Sequence, residues 1–333
     1  MYTTTMLITH RLSSARRSQS GFTLIEMMIS VTIGLGILAG LVGVLASNSG
    51  NAKTNDRTAE LVTNGRYALN SIRSELREAG FRAYTWAEPS TPGALGLTGA
   101  NNECLEGGAP QGAFVSNIRQ GVWGSDNANP FQANCIPLAS YLPNTDVLVV
   151  RRVAVTQAAA LGVNAVYFHS SYERGQIFRG TAAPVIAPAF TGAPVPLASF
   201  AVQIYVYYVS PFTNAANEVP PVPALRRVFL RSDGTMESEL VASGIERMQI
   251  QYGRLTTVPD TQYLDSVPGT SFDLTPNGAW DEVNSVRIWL LARNTSPELG
   301  YVNNQTYQMG NQPYTVNDNF RRQLFTSVVQ LRN

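Results

Sequence analysis

The chain has 333 residues, of which 14% are charged against a usual ~25%, and its net charge is +1. No strongly basic balance points to nucleic acid. About 250 residues lie beyond the N-terminal apolar segment and its extension, enough for one large β-rich domain or one domain with insertions.

The first element is a basic leader followed by an apolar run. Arg16-Arg17-Ser18-Gln19-Ser20-Gly21-Phe22-Thr23-Leu24-Ile25-Glu26 opens it, and Glu26 is the only charge within the apolar run that lasts to Ala46. Residues 24–46 exceed the ~20 that a membrane-spanning helix needs. His10, Arg11, Arg16 and Arg17 precede the run and no Lys or Arg lies inside it. The positive-inside rule therefore puts residues 1–21 in the cytoplasm and the rest outside. A carboxylate at a bilayer centre costs about 2.5–3.5 kcal/mol on insertion scales, so Glu26 is a candidate functional group. The junction resembles the type IV prepilin signal: Gly at the cut, Phe as the new N-terminus, then Thr-Leu-Ile-Glu. A secretory signal would place its cut after the apolar segment, whereas Gly21 precedes it, so the apolar helix stays in the mature protein. The competing reading is an uncleaved signal anchor, which gives Glu26 no role. Cleavage would leave 21 basic against 23 acidic side chains, a net charge of −2.

The helix continues past the apolar run. Leu61, Gly65, Ala68, Leu69, Ile72, Leu76 and Ala79 recur at spacings of three and four, which lays one stripe along a helix. Lys53 with Asp56, and Arg57 with Glu60, form i,i+3 pairs, and Gly80 is a C-terminal stop. The spacing predicts one helix over roughly 22–79, its first half in lipid and its second packed on a head. Gly36 and Gly40 form a small-xxx-small pair; the alternative is that they are ordinary membrane-helix glycines.

From 88 to 144 the chain is rich in Gly, Pro, Asn and Ala and lacks periodicity. The segment 81–146 is read as a looped insertion. Its cysteines, Cys104 and Cys135, are expected to pair in an exported domain; a reactive thiol and a metal ligand are the competing readings. Strand signals follow at 147–155, 201–209, 226–231, 236–241, 247–252, 286–292 and 324–331, with Ser232-Asp233-Gly234-Thr235 as a hairpin turn. One long helix, an insertion and an antiparallel sheet make an α+β fold. The expected organisation is a leader at 1–21, a transmembrane and assembly half-helix at 22–50, an amphipathic half at 51–80, the insertion at 81–146 and a β-sheet head at 147–333.

Glu60-Leu61-Val62-Thr63-Asn64-Gly65-Arg66-Tyr67-Ala68-Leu69 and Ser74-Glu75-Leu76-Arg77-Glu78-Ala79-Gly80-Phe81 look like the helix of PilW-type minor pilins of the type IV pilus. Ser285-Val286-Arg287-Ile288-Trp289-Leu290-Leu291-Ala292-Arg293 and the stretch from Arg321-Arg322 to Asn333 resemble that family's final strands. The hairpin at Asp233-Gly234 and the following Gly244-Ile245-Glu246 also resemble the J-type pseudopilin of type II secretion, the alternative reading. The pilin resemblance implies a pilin-like fold and a structural subunit, not an enzyme, with no cofactor. It implies a prepilin peptidase that cuts between Gly21 and Phe22 and N-methylates Phe22. It implies other minor pilins, the major pilin and a large tip adhesin as partners, an inner-membrane stage with a periplasmic head, and then the pilus. Glu26 would pair with a neighbouring subunit's N-terminal amine.

The remaining residues give little chemistry. His169 is the one histidine outside the leader and reads as a strand-end residue. HExxH and GxxxxGK[ST] are both missing. Asp260, Asp265, Asp273 and Asp281 lack EF-hand spacing and read as solvated loop carboxylates. Arg151-Arg152, Arg226-Arg227 and Arg321-Arg322 are expected to split across a sheet, because adjacent strand residues face opposite sides. A tip adhesin with a ligand site in 88–200 is a further reading that no motif there supports.

Overall fold

The computed structural model describes residues 21–85, 94–98, 103–110, 112–118, 120–131, 135–172, 174–186, 196–214, 218–257, 260–267 and 280–331. The leader to residue 20 and the loop carboxylate Asp273 lie outside them. The chain divides into two compact units, Met1–Thr54 and Asn55–Asn333.

Helix α1 (Leu24–Arg77) contributes to both units. In the first unit its large side chains from Leu24 to Leu45 are exposed and, Glu26 apart, apolar, as a bilayer or a helix bundle requires. The hydroxyls of Ser30 and Thr32 bond back to the carbonyls of Glu26 and Met28, so neither is left unsatisfied among apolar neighbours. In the second unit the stripe from Leu61 to Leu76 is buried, on the side chains that the three-four spacing selects. Gly80 (φ +77°) ends the helical path and donates its N–H to Arg151 O at 2.9 Å. A Cβ on Gly121 would run into the backbone of Gly80, so the helix end abuts that segment directly.

The head carries two main sheets. In the first, β6 (Ala198–Ser210) pairs along one edge with β3 (Val147–Gln157). Its thirteen residues leave room on the other edge for β4 (Val166–Ser170) and then β7 (Ala224–Leu230). Outside β3 lies β2 (Val122–Ser125); outside β4 lie β5 (Gly175–Arg179) and the short β1 (Ala94–Leu95); outside β7 lies β8 (Met236–Ser243). The second sheet orders β10 (Asp260–Leu264), β9 (Ile245–Thr257), β11 (Val283–Arg293) and β14 (Arg322–Gln330), all antiparallel. A separate hairpin joins β12 (Thr306–Met309) to β13 (Gln312–Thr315). Gly244, at φ +77°, turns the chain from β8 in the first sheet into β9 in the second. Asp146, just before β3, stitches the sheets: its N–H reaches Met248 O at 3.0 Å and its carboxylate accepts the Ile250 N–H at 2.6 Å.

Each of the seven expected strand segments lies on a strand. The hairpin turn is present, with Asp233 Oδ1 accepting from the N–H and hydroxyl of Thr235. The structure differs in what else it holds. The segment 81–146 is more than loop: α2 (Gly112–Ser116) and β2 form in it, and Phe114, Val115, Ile118, Trp123, Phe131 and Ile136 enter the main core. Their spacing follows neither 3.6 nor 2, because each is placed by the sheet it covers, so no periodic signal exists. The β4–β5 pair was equally hidden: all of β4 is buried, which removes the in-out alternation that marks a half-exposed strand.

Candidate functional site

The N-terminal junction is built from four residues. Phe22 is 83% exposed, and a Cβ on Gly21 would meet nothing within 4 Å, so the peptide between them is sterically open. Thr23 and Glu26 close a capping box around the start of α1. The Glu26 carboxylate accepts the Thr23 N–H and the Thr23 hydroxyl through Oε2, each at 2.9 Å, and the Glu26 N–H reaches Thr23 Oγ1 at 3.3 Å. The reciprocal bonds satisfy donors that a helix N-terminus leaves unpaired, and the negative charge suits that end of the helix dipole. Glu26 therefore has a partner inside its own subunit. The Thr-x-x-Glu spacing is legible at 23–26, although sequence reasoning assigned Glu26 only to an intermolecular role. Oε1 makes no bond among the described residues.

The basic pairs split as the strand period requires. Arg151 turns away from α1 and is fully buried, with its guanidinium 4.6 Å from the Phe114 ring and Nε donating to Phe114 O at 3.0 Å; burial pushes its pKa down to about 9. Arg152 faces α1 and pairs with Glu75 and Glu78, each at 2.8 Å. Arg227 pairs with Glu239 and lies over Tyr205 at 5.0 Å, whereas Arg226 donates to Ser238 and to Thr213 O. Arg321 binds Glu298, and Arg322 binds Glu246 and Asp318. These arginines hold elements together and do not line one stripe.

Cys104 and Cys135 form a disulfide with Cα atoms 4.9 Å apart, both fully buried. This settles the thiol and metal readings in favour of the bond. His169 lies buried in β4, with Nδ1 2.9 Å from Ser199 Oγ and its ring edge-on to Phe178; burial pushes its pKa down. Of the aspartates at 260–281, Asp273 lies outside the described residues. Asp265 accepts from Gln251 Nε2 at 2.8 Å and from the Asn311 side chain, and no group of three metal-ligating side chains occurs among the described residues.

Two family profiles match. Residues 206–333 match PilW, the Type IV Pilus-assembly protein W, and residues 16–42 match the prokaryotic N-terminal methylation motif. The first spans β7 to β14 with the end of β6, and the second spans the cut junction and the first half of the apolar helix. Comparison with curated proteins and with solved structures finds no match.

Proposed function

The chain is a PilW-type type IV pilin, and from that premise we propose that it is a minor pilin that helps to initiate pilus assembly or sits at the pilus tip. The observation that carries this reading is the pairing, in one chain, of a methylation motif on an exposed apolar helix with a pilus-assembly head. The PilW match also covers the Asp233-Gly234 hairpin and Gly244-Ile245-Glu246. Those are the residues on which the likeness to a J-type pseudopilin rests, so the pilus reading takes precedence.

The mechanism is physical. With the leader in the cytoplasm and the head in the periplasm, the prepilin peptidase cuts after Gly21 and methylates the amine of Phe22. Cleavage removes the basic leader that anchors the helix at the cytoplasmic face. The helix then leaves lipid and packs beside the helices of other minor pilins and the major pilin, with a large adhesin as a further partner at the tip. Glu26 meets the N-terminal amine of a neighbour, and the two charges compensate in an apolar bundle where either alone is costly. Oε2 stays on Thr23 while Oε1 takes the amine, so the capping box and the intermolecular pair coexist. The protein is a substrate and a building block, not an enzyme.

Gly21→Val tests the cut site. A branched side chain there obstructs the peptidase, so the variant accumulates as a membrane-retained precursor and piliation falls. N-terminal sequencing that still begins at Phe22 overturns the assignment.

A further inference from the structure

Beyond assembly, the head holds a polar cavity that the pilin reading does not use. Its volume is about 320 Å³, within the ~300–1,000 Å³ range of small-ligand sites. It forms where the β12–β13 hairpin comes over β9, next to the turns at Asn127 and Asn144. Both asparagines have left-handed backbone, at φ +53° and +59°, a conformation that few non-glycine residues adopt.

The hydrogen-bonding groups of the cavity are only partly used. Gln249 is 5% exposed, and its Nε2 donates to Asn127 Oδ1 at 2.8 Å and to Asn144 O at 3.3 Å. Its Oε1 has no partner among the described residues. Arg247 lies 4.6 Å from the Tyr314 ring, and Nη1 donates to Pro143 O at 2.8 Å and Asn144 O at 3.0 Å, while Nη2 has no partner among the described residues. Tyr314 is fixed at its other end by its hydroxyl, which donates to Glu246 Oε1 at 3.4 Å. The carboxamides of Asn144 and Gln312 also lack partners among the described residues, and Met309 and Pro313 add an apolar patch. Converging amides, one guanidinium and an aromatic–apolar wall suit a ring that carries hydroxyls on its rim and C–H groups on its faces.

Charge narrows the ligand further. Among the described residues no carboxylate lines the cavity, and those nearby are already engaged: Asp126 accepts from Asn127 Nδ2, Asp146 accepts from the Asn127 N–H, and Glu246 pairs with Arg322 while holding Tyr314. Four of the polar lining groups are amides and only Arg247 is charged, a balance that suits a neutral polar ligand. The Arg247 guanidinium and the Met309–Pro313 patch line the same cavity, a combination that fits a carbonyl next to a methyl group. We propose that this cavity is a glycan-binding site for a neutral sugar unit carrying an acetamido group.

The test is calorimetry on the mature full-length chain in detergent, with triacetylchitotriose, maltotriose and trigalacturonate as probes. Triacetylchitotriose should bind saturably and at least tenfold more tightly than the other two. Asn144→Gly keeps the left-handed turn while removing the carboxamide, and Gln312→Ala trims the rim. The double variant should melt within a degree of wild type and bind at least tenfold more weakly. Equal binding of maltotriose, a preference for trigalacturonate, no binding of any probe, or unchanged affinity in the double variant would each overturn the proposal.

Discussion

Arg322 is one of the most firmly held charges in the head. Its side chain is 1% exposed, and its guanidinium meets Glu246 at 2.6 and 3.0 Å and Asp318 at 2.6 Å from two nitrogens. Arg293 adds a second cation 3.7 Å from Glu246. Replacing one partner of such a buried network costs about 3–5 kcal/mol, because the other is left charged and unpaired. Arg322→Leu should therefore lose that much in urea unfolding. The hydrogen bonds from Arg322 hold the Asp318 carboxyl below its usual range. A depressed carboxylate contributes stability that is present above its unfolded value near 3.8 and lost as pH falls through the folded one. Wild type should weaken on that acid limb, and Arg322→Leu should weaken less steeply. Asp146 has the opposite sign: burial pushes it up to about 8. Its contribution is present below its unfolded value near 3.8 and declines as pH rises toward 8. Asp146→Asn sets an amide NH₂ against one of the two backbone N–H donors, from Asn127 and Ile250, that the carboxylate accepts, at a cost of about 1–3 kcal/mol. It also removes the titration, so its deficit relative to wild type should shrink between pH 5 and pH 9. A deficit that is constant with pH would mean that Asp146 keeps an ordinary pKa.

Among the elements, α1 and the final strand approach each other closely. A Cβ on Gly65 would overlap the ring of Phe325 in β14. Gly65→Ala gains about 1 kcal/mol of helix propensity but overpacks a core contact, which costs about 1–3 kcal/mol. The net expectation is a lowered melting temperature; a raised one would mean that the Phe325 ring swings aside freely. The disulfide ties residues 31 apart in sequence, and removing it should cost roughly 3–4 kcal/mol on the chain-entropy account. In a Cys104→Ser, Cys135→Ser variant, hydrogen exchange should accelerate first around α2 and β2, because β3 and β6 keep neighbours on both edges. Uniform acceleration across the head would show that these residues support the whole core. The same elements show what could be read in advance. The helix and the half-exposed strands carry a period, 3.6 or 2, and were legible for that reason. Phe114, Trp123 and Phe131 carry none: they pack edge-on against one another at 6.0 Å under a sheet that other residues build. Cys104 and Cys135 could be paired from the exported context alone. The amide-lined cavity could not, since Asn127, Asn144, Gln249 and Tyr314 come from separate segments and meet only through the sheet seam at Asp146.

At the scale of the whole molecule, the open question is which of two roles keeps Glu26 in an apolar helix. As part of the capping box it stabilises its own helix start, and such a cap is worth about 0.5–2 kcal/mol. As half of an intermolecular ion pair it matters only once subunits pack. The residue types separate the two roles, because a capping box accepts Gln as well as Glu at the third helical position, whereas only Glu supplies charge. Glu26→Gln should insert in the membrane, be cleaved after Gly21 and keep the Thr23 contacts, yet reduce piliation and drop out of sheared pili. Thr23→Val removes the hydroxyl partner and leaves the carboxylate, so it should assemble close to normally. Glu26→Ala loses both functions and should be no better than Glu26→Gln in assembly, with an unchanged membrane level. Position in the pilus bears on the outcome, since a subunit at the extreme tip has no subunit ahead whose amine its Glu26 can meet. If Glu26→Gln assembles like wild type while Thr23→Val does not, the carboxylate serves the helix start of its own subunit, and the intermolecular pair is wrong for this pilin.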